Sequence, residues 1–132
     1  MKIVIIANET KKAPLIEWSY ANKKILEQHA IMATGASAHL LEGTLLQPVH
    51  QLSPVSAGGI TEIEKLVAAG EVDMLIFFPG LKDQSVVTDK FRHLVTTSSE
   101  KDILIAFNTA TANLLLNQWQ EAGTADTATI SL

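Results

Sequence analysis

Cysteine is absent from this 132-residue chain. That excludes disulfides, thiolate zinc sites and cysteine nucleophiles, and it fits a cytoplasmic location. No apolar run reaches the roughly eighteen residues that suggest a membrane span, and the opening Met1–Ile6 is too short for a signal peptide and reads as a strand. Lysine and arginine form no cluster and the net charge is −4, so nucleic acid is excluded as a main partner. An anionic ligand would have to be held by local donors rather than by the overall field. G-x-G-x-x-G and G-x-x-x-x-G-K-[ST] are both missing, so neither a dinucleotide fold nor a P-loop is supported and no cofactor is expected. His29, His39, His50 and His93 are scattered without ligand spacing, so no metal is expected.

What is present is a large apolar fraction, 47%, enough for one folded domain over residues 1–132. No linker, low-complexity tract or internal repeat divides it. Ile3–Ala7, Ala30–Met32, Val49–Leu52, Met74–Phe78 and Ile103–Phe107 are short apolar runs rich in β-branched residues, the pattern of buried parallel strands. Between them lie segments with helical spacing. Pro14, Leu15, Trp18, Ala21 and Ile25 mark the first, and Ala38 to Glu42 the second, with Gly43 as its end. Ile60, Ile63, Leu66 and Val67 mark the third, which stops at Gly70; Asp89 to Ser98 give the fourth, and Thr109 through Trp119 the fifth. Leu81 to Thr88 reads as an irregular polar loop, and Ala128 to Leu132 as an extra edge strand. Alternation of strand and helix with short connections predicts βαβ units and a parallel sheet with helices on both faces.

In such folds ligands bind outside the carboxyl ends of the strands. Three loops there carry hydroxyls near a helix start: Thr34 and Ser37, Ser53 and Ser56, Thr109 and Thr111. In Thr34-Gly35-Ala36-Ser37, Gly35 permits close backbone approach and Ser37 suits a helix N-cap. The turn then offers free amides, hydroxyls and a positive dipole end to an anion. Taken alone it also reads as an ordinary strand-to-helix turn.

Four stretches, in order and at their spacing, resemble the methylglyoxal synthase family and, more broadly, the domain shared with carbamoyl-phosphate synthetase and inosinate cyclohydrolase. They are Ile3-Val4-Ile5-Ile6-Ala7 with Lys12, Leu26-Glu27-Gln28-His29 leading to Ala33-Thr34-Gly35, Gly70 through Phe78, and Asn108-Thr109-Ala110-Thr111-Ala112. The resemblance covers nearly the whole chain. It implies an α/β three-layer sandwich around a five-stranded, mainly parallel sheet. It also implies conversion of dihydroxyacetone phosphate to methylglyoxal and phosphate by a carboxylate base, and assembly into a homo-oligomer, a hexamer in relatives.

The chain departs from the family pattern at several positions. Gly58-Gly59 is followed by Ile60 where the family has its base aspartate. Asn8 stands for a histidine and Glu9 for an aspartate, Val87 matches a family histidine, and Asp89 is one position from a family aspartate, at Lys90. Ala36 and Ser37 replace two threonines, and the chain stops at Leu132 where family synthases usually continue into a basic helix. The resemblance therefore implies phosphate or phosphorylated-metabolite contacts at Asn8, Lys12, Thr34, Gly35, Ala36, Ser37, Gly58 and Gly59, with Glu9 or Asp89 as the surviving acid or base. Glu62, two residues past Ile60, reads first as part of a solvated helix face, and otherwise as a carboxylate that reaches the site from the next turn and takes the proton. Three functions stay open: a divergent synthase, a catalytically impaired module that senses a phosphorylated metabolite, and an assembly subunit with a vestigial pocket. Installing aspartate at position 60 is expected to raise methylglyoxal formation if the phosphate site is intact.

Overall fold

A computed structural model describes residues 1–8, 10–80 and 89–130, with side chains described as far as Trp119. It is an α/β domain with β1 (Lys2–Ala7), β2 (Ala30–Thr34), β3 (His50–Leu52), β4 (Met74–Phe78) and β5 (Leu104–Ala106) in one sheet of order β3-β2-β1-β4-β5. Every pairing is parallel; Ile3 lies opposite Ile31 and Met74, and Ala7 opposite Phe78. The period of two along β1 divides the core. Ile3, Ile5 and Ala7 face Leu15, Trp18, Leu41 and Leu116, whereas Val4 and Ile6 face Ile60, Ile63, Val67, Phe91 and Leu94. Helices α1 (Lys12–Ala21), α3 (Ser37–Leu45) and α6 (Thr109–Ile130) therefore cover one face, and α4 (Gly59–Ala68) and α5 (Asp89–Glu100) the other. This is the three-layer sandwich expected from the apolar runs.

The helix ends differ from the sequence expectation in four places. The first helix is interrupted at Asn22, whose amide donates to the Trp18 carbonyl at 3.0 Å, and resumes as the short α2 (Lys23–Leu26). A side chain that competes for backbone partners breaks a periodic run that would otherwise continue. Ser37 lies inside the first turn of α3 and caps nothing; Ala36 holds the N-cap position. Gly43 does not end α3, which runs on to Leu45 and closes at Leu46 with φ 56°. The edge strand expected at Ala128–Leu132 is not formed: Ala128 to Ile130 continue α6, and Ser131 and Leu132 lie outside the described residues. Threonine and isoleucine in that tail favour a strand only weakly, and the helix they extend overrides the preference. The loop Leu81–Thr88, with Val87, also lies outside the described residues.

Side-chain bonds tie the layers together. Trp18 Nε1 donates to Asn113 Oδ1 at 2.8 Å, joining α1 to α6, and Ser19 donates to Thr44 at 2.8 Å, joining α1 to α3. At the amino ends of the strands His29 is buried. It accepts from the Met1 amino group at 3.0 Å and meets the Trp119 ring edge-on at 4.4 Å. Burial, with the positive Met1 amino group adding to it, pushes the imidazole down from 6.5 to about 4. The folded chain thus holds His29 neutral where the unfolded chain would take up a proton. The stability this contributes is present above pH 6.5 and is lost as pH falls towards 4. The urea midpoint is expected to fall across that window, and a His29→Phe variant should show a shallower fall; equal slopes would contradict this.

Candidate functional site

The strand order creates the site. β1 connects to β2 on one side and β4 to β5 on the other, so their outgoing loops part and leave a crevice at the carboxyl ends of adjacent β1 and β4. Asn8 closes the floor between them, its amide donating to the Phe78 carbonyl at 3.0 Å. Its side-chain oxygen accepts from the Thr10 amide at 2.9 Å and the Thr10 hydroxyl at 2.7 Å, which folds the loop after β1 into an Asx turn. Asn8 shapes this loop as well as facing the rim. Glu9 lies outside the described residues. Lys12, the first residue of α1, is exposed and forms no ion pair among the described residues.

The turn Thr34–Ser37 sits beside this loop. Thr34 is buried, and its hydroxyl oxygen accepts from the Ala7 amide at 3.2 Å, which leaves the hydroxyl proton to donate. Gly35 adopts φ 58°, donates to the Leu52 carbonyl at 2.8 Å and accepts from Gln51 Nε2 at 3.3 Å. The turn is thus locked to the ends of both β1 and β3. Ser37 is buried, and its hydroxyl has no hydrogen-bond partner among the described residues.

The three hydroxyl-bearing helix entries now separate. At α6, Asn108 Oδ1 accepts from the Thr111 amide at 2.8 Å, so a side-chain cap already fills that end. At α4, Glu62 stands in the first turn and its Oε2 accepts from the Ser53 amide at 2.6 Å, so a negative charge already sits there. At α3 no side chain caps the helix and no acidic residue occupies the first turn; α1, next to it, shares both features. Among the described residues, then, no side chain compensates the positive ends of α1 and α3, which flank the Gly35 turn and the loop after β1.

The remaining candidates lie elsewhere along the chain. Gly58 turns the chain at φ 97° after a 3₁₀ turn, Val55–Ala57. A Cβ on Gly59 would meet the Ser53 carbonyl oxygen, and the Gly59 amide is spent on the Pro54 carbonyl at 3.0 Å. Loop geometry alone thus accounts for the glycine pair. Ile60 is buried, 5% exposed, in the core cluster that holds Val4, Ile6, Leu52 and Ile63. Asp89 opens α5 with a fully exposed side chain, 3.9 Å from Arg92, and no contact among the described residues joins it to the Gly35 turn. Sequence reasoning missed the Asn108 cap, although Asn108 and Thr111 stand at capping spacing, and it missed the tie between Glu62 and Ser53, which no local pattern announces. Two surface hollows, about 590 and 520 Å³, lie beside the α1–α2 junction and at the starts of β2 and β3, away from this rim.

An open parallel sheet with helices on both faces and polar loops at the carboxyl ends of its strands defines a three-layer α/β domain. No protein-family model matches the chain. Whole-chain relatives do. A methylglyoxal synthase from Pseudoalteromonas atlantica is 33% identical over 114 residues, covering 86% of this chain and 84% of the relative. One from Geobacillus sp. is 33% identical over 116 residues, covering 88% and 83%. The crystal structure of methylglyoxal synthase from Elizabethkingia anophelis superposes with a TM-score of 0.71 at 25% identity, covering 87% of this chain and 76% of that one. The chain belongs to the methylglyoxal synthase family.

Proposed function

We propose that the chain binds a small phosphorylated metabolite at the turn between β2 and α3 and acts as a methylglyoxal synthase, converting dihydroxyacetone phosphate to methylglyoxal and phosphate. The observation that carries the proposal is the contrast among helix entries. Among the described residues, no side chain caps and no carboxylate neutralises the first amides of α3 and its neighbour α1, whereas α4 and α6 have partners of their own. A phosphate there gains backbone donors, the Thr34 and Ser37 hydroxyls and the nearby Lys12 charge. Asn8 and Ala36 line the same turn from the two loops. Among the open readings the synthase is favoured over a sensing module by membership in a family whose relatives carry that name.

Elimination of phosphate from a triose phosphate requires a carboxylate to take a proton beside the carbonyl, donors for the enediolate oxygen and an anion pocket for the leaving group. The β2–α3 turn supplies the third. The test is a direct assay: purified protein with dihydroxyacetone phosphate, following methylglyoxal and inorganic phosphate together. Equal release of both above the uncatalysed rate is expected. Absence of both would overturn the synthase reading.

A further inference from the structure

We infer that Glu62 is the side chain that takes the proton. The inference rests on the synthase reading above. The reaction needs a carboxylate at the strand-end rim, and parallel βαβ connections bring the first turn of each helix to that rim. Among the described residues the first turns of α1, α3 and α6 hold no acidic residue, α4 holds Glu62 and α5 holds Asp89. Asp89 is fully exposed beside Arg92. Glu62 is partly buried and fixed, with Oε2 accepting from the Ser53 amide at 2.6 Å.

That bond places Glu62 relative to the anion turn. Ser53 directly follows Leu52, and the Leu52 carbonyl accepts from the Gly35 amide at 2.8 Å. One residue along a strand and one strand across is a step of about 3.3 Å and about 4.8 Å, so the carboxylate sits within the reach of a three-carbon chain whose phosphate rests at Gly35. The bond to Ser53 uses one oxygen and leaves Oε1 without a hydrogen-bond partner among the described residues.

The step balances. Oε1 takes a proton from the hydroxymethyl carbon; the C–H bond breaks, an O–H bond forms, and the freed pair becomes the carbon–carbon double bond of an enediolate. A lone pair on the terminal hydroxyl oxygen then re-forms a carbonyl, the double bond shifts towards the phosphate-bearing carbon, and its C–O bond breaks with both electrons leaving on phosphate; the hydroxyl proton passes to the departing phosphate, and the proton held by Glu62 passes to the central enolate oxygen, which restores the carboxylate. The product is the enol of methylglyoxal, which tautomerises to methylglyoxal by gaining a proton on carbon and losing one from oxygen.

The experiment compares the parent, Glu62→Gln and Glu62→Asp in D2O, following deuterium entry into carbon-bound positions of dihydroxyacetone phosphate, methylglyoxal formation, and inorganic phosphate affinity. Glutamine keeps an oxygen for the Ser53 amide and cannot accept the proton. The expected result is a loss of about 10²–10⁴-fold in kcat and exchange for Glu62→Gln, with phosphate affinity unchanged and partial recovery of exchange in Glu62→Asp. An acid limb in the parent pH–rate profile that disappears in Glu62→Gln separates a proton acceptor from a loop tie. If Glu62→Gln fails to fold, Glu62→Asp carries the test: reduced turnover and exchange with the acid limb kept supports the assignment, and turnover equal to the parent overturns it. Turnover in the parent that Glu62→Gln leaves intact overturns the inference alone. A parent that neither binds phosphate nor exchanges deuterium overturns the inference and the synthase reading together.

Discussion

Ile60→Asp is expected to lower folding stability by about 3–5 kcal/mol and to yield no gain in methylglyoxal formation. The side chain at position 60 is 5% exposed and lies among Val4, Ile6, Leu52 and Ile63 on the α4 face of the sheet. A carboxylate there would lose its hydration without a partner. Burial would raise its pKa above the free value of about 3.9, so the folded protein would prefer it protonated. The penalty is therefore small at low pH and grows as pH rises through about 4, the reverse of the usual salt-bridged carboxylate. Urea unfolding of parent and variant at pH 4 and pH 7 checks this. A penalty that shrinks with rising pH, or a variant as stable as the parent and more active, would show that position 60 opens onto the rim. From the sequence alone the same substitution looked like a repair of the active site.

Gly35→Val is expected to weaken phosphate binding by at least tenfold and to destabilise the fold by roughly 2–5 kcal/mol. Gly35 has φ 58° and is buried, with its amide on Leu52 and its carbonyl on Gln51. A β-branched residue is a strained outlier in that region of backbone space. Relaxing the turn would release Leu52 and Gln51 and rotate the first amides of α3 away from the crevice. Lys12→Ala should cost less, because Lys12 is exposed and contributes one screened charge. Phosphate titration beside chemical unfolding of the two variants measures both effects. Parent-like phosphate affinity in both would place the anion elsewhere.

The strands were legible because parallel strands buried on both faces are nearly continuous apolar runs, and β1 and β4 are the plainest instances. The helices were legible as stripes but not at their ends. The break at Asn22 and the passage of α3 through Gly43 were decided by a side chain reaching the backbone and by packing against α1. Ile60 shows two signals in conflict. Its spacing with Ile63 and Val67 marked it as core, whereas the family pattern marked it as rim; the structure places it in the core. The Thr34–Ser37 turn could be found from residue type alone. The choice among three similar turns could not, because it depends on Glu62 reaching Ser53 and Asn108 reaching Thr111, contacts that exist only once the loops are folded.

The site account stands or falls on where an anion lands. Titrating inorganic phosphate into uniformly labelled protein while following backbone amide shifts tests this directly. Saturable shifts are expected at Ala36, Ser37 and the start of α1, with the amides of Gly35, Ser53 and Thr111 moving less because their acceptors are already bound. Shifts centred on Ser53–Gly59 or on Thr109–Thr111, with the α3 entry silent, would contradict it.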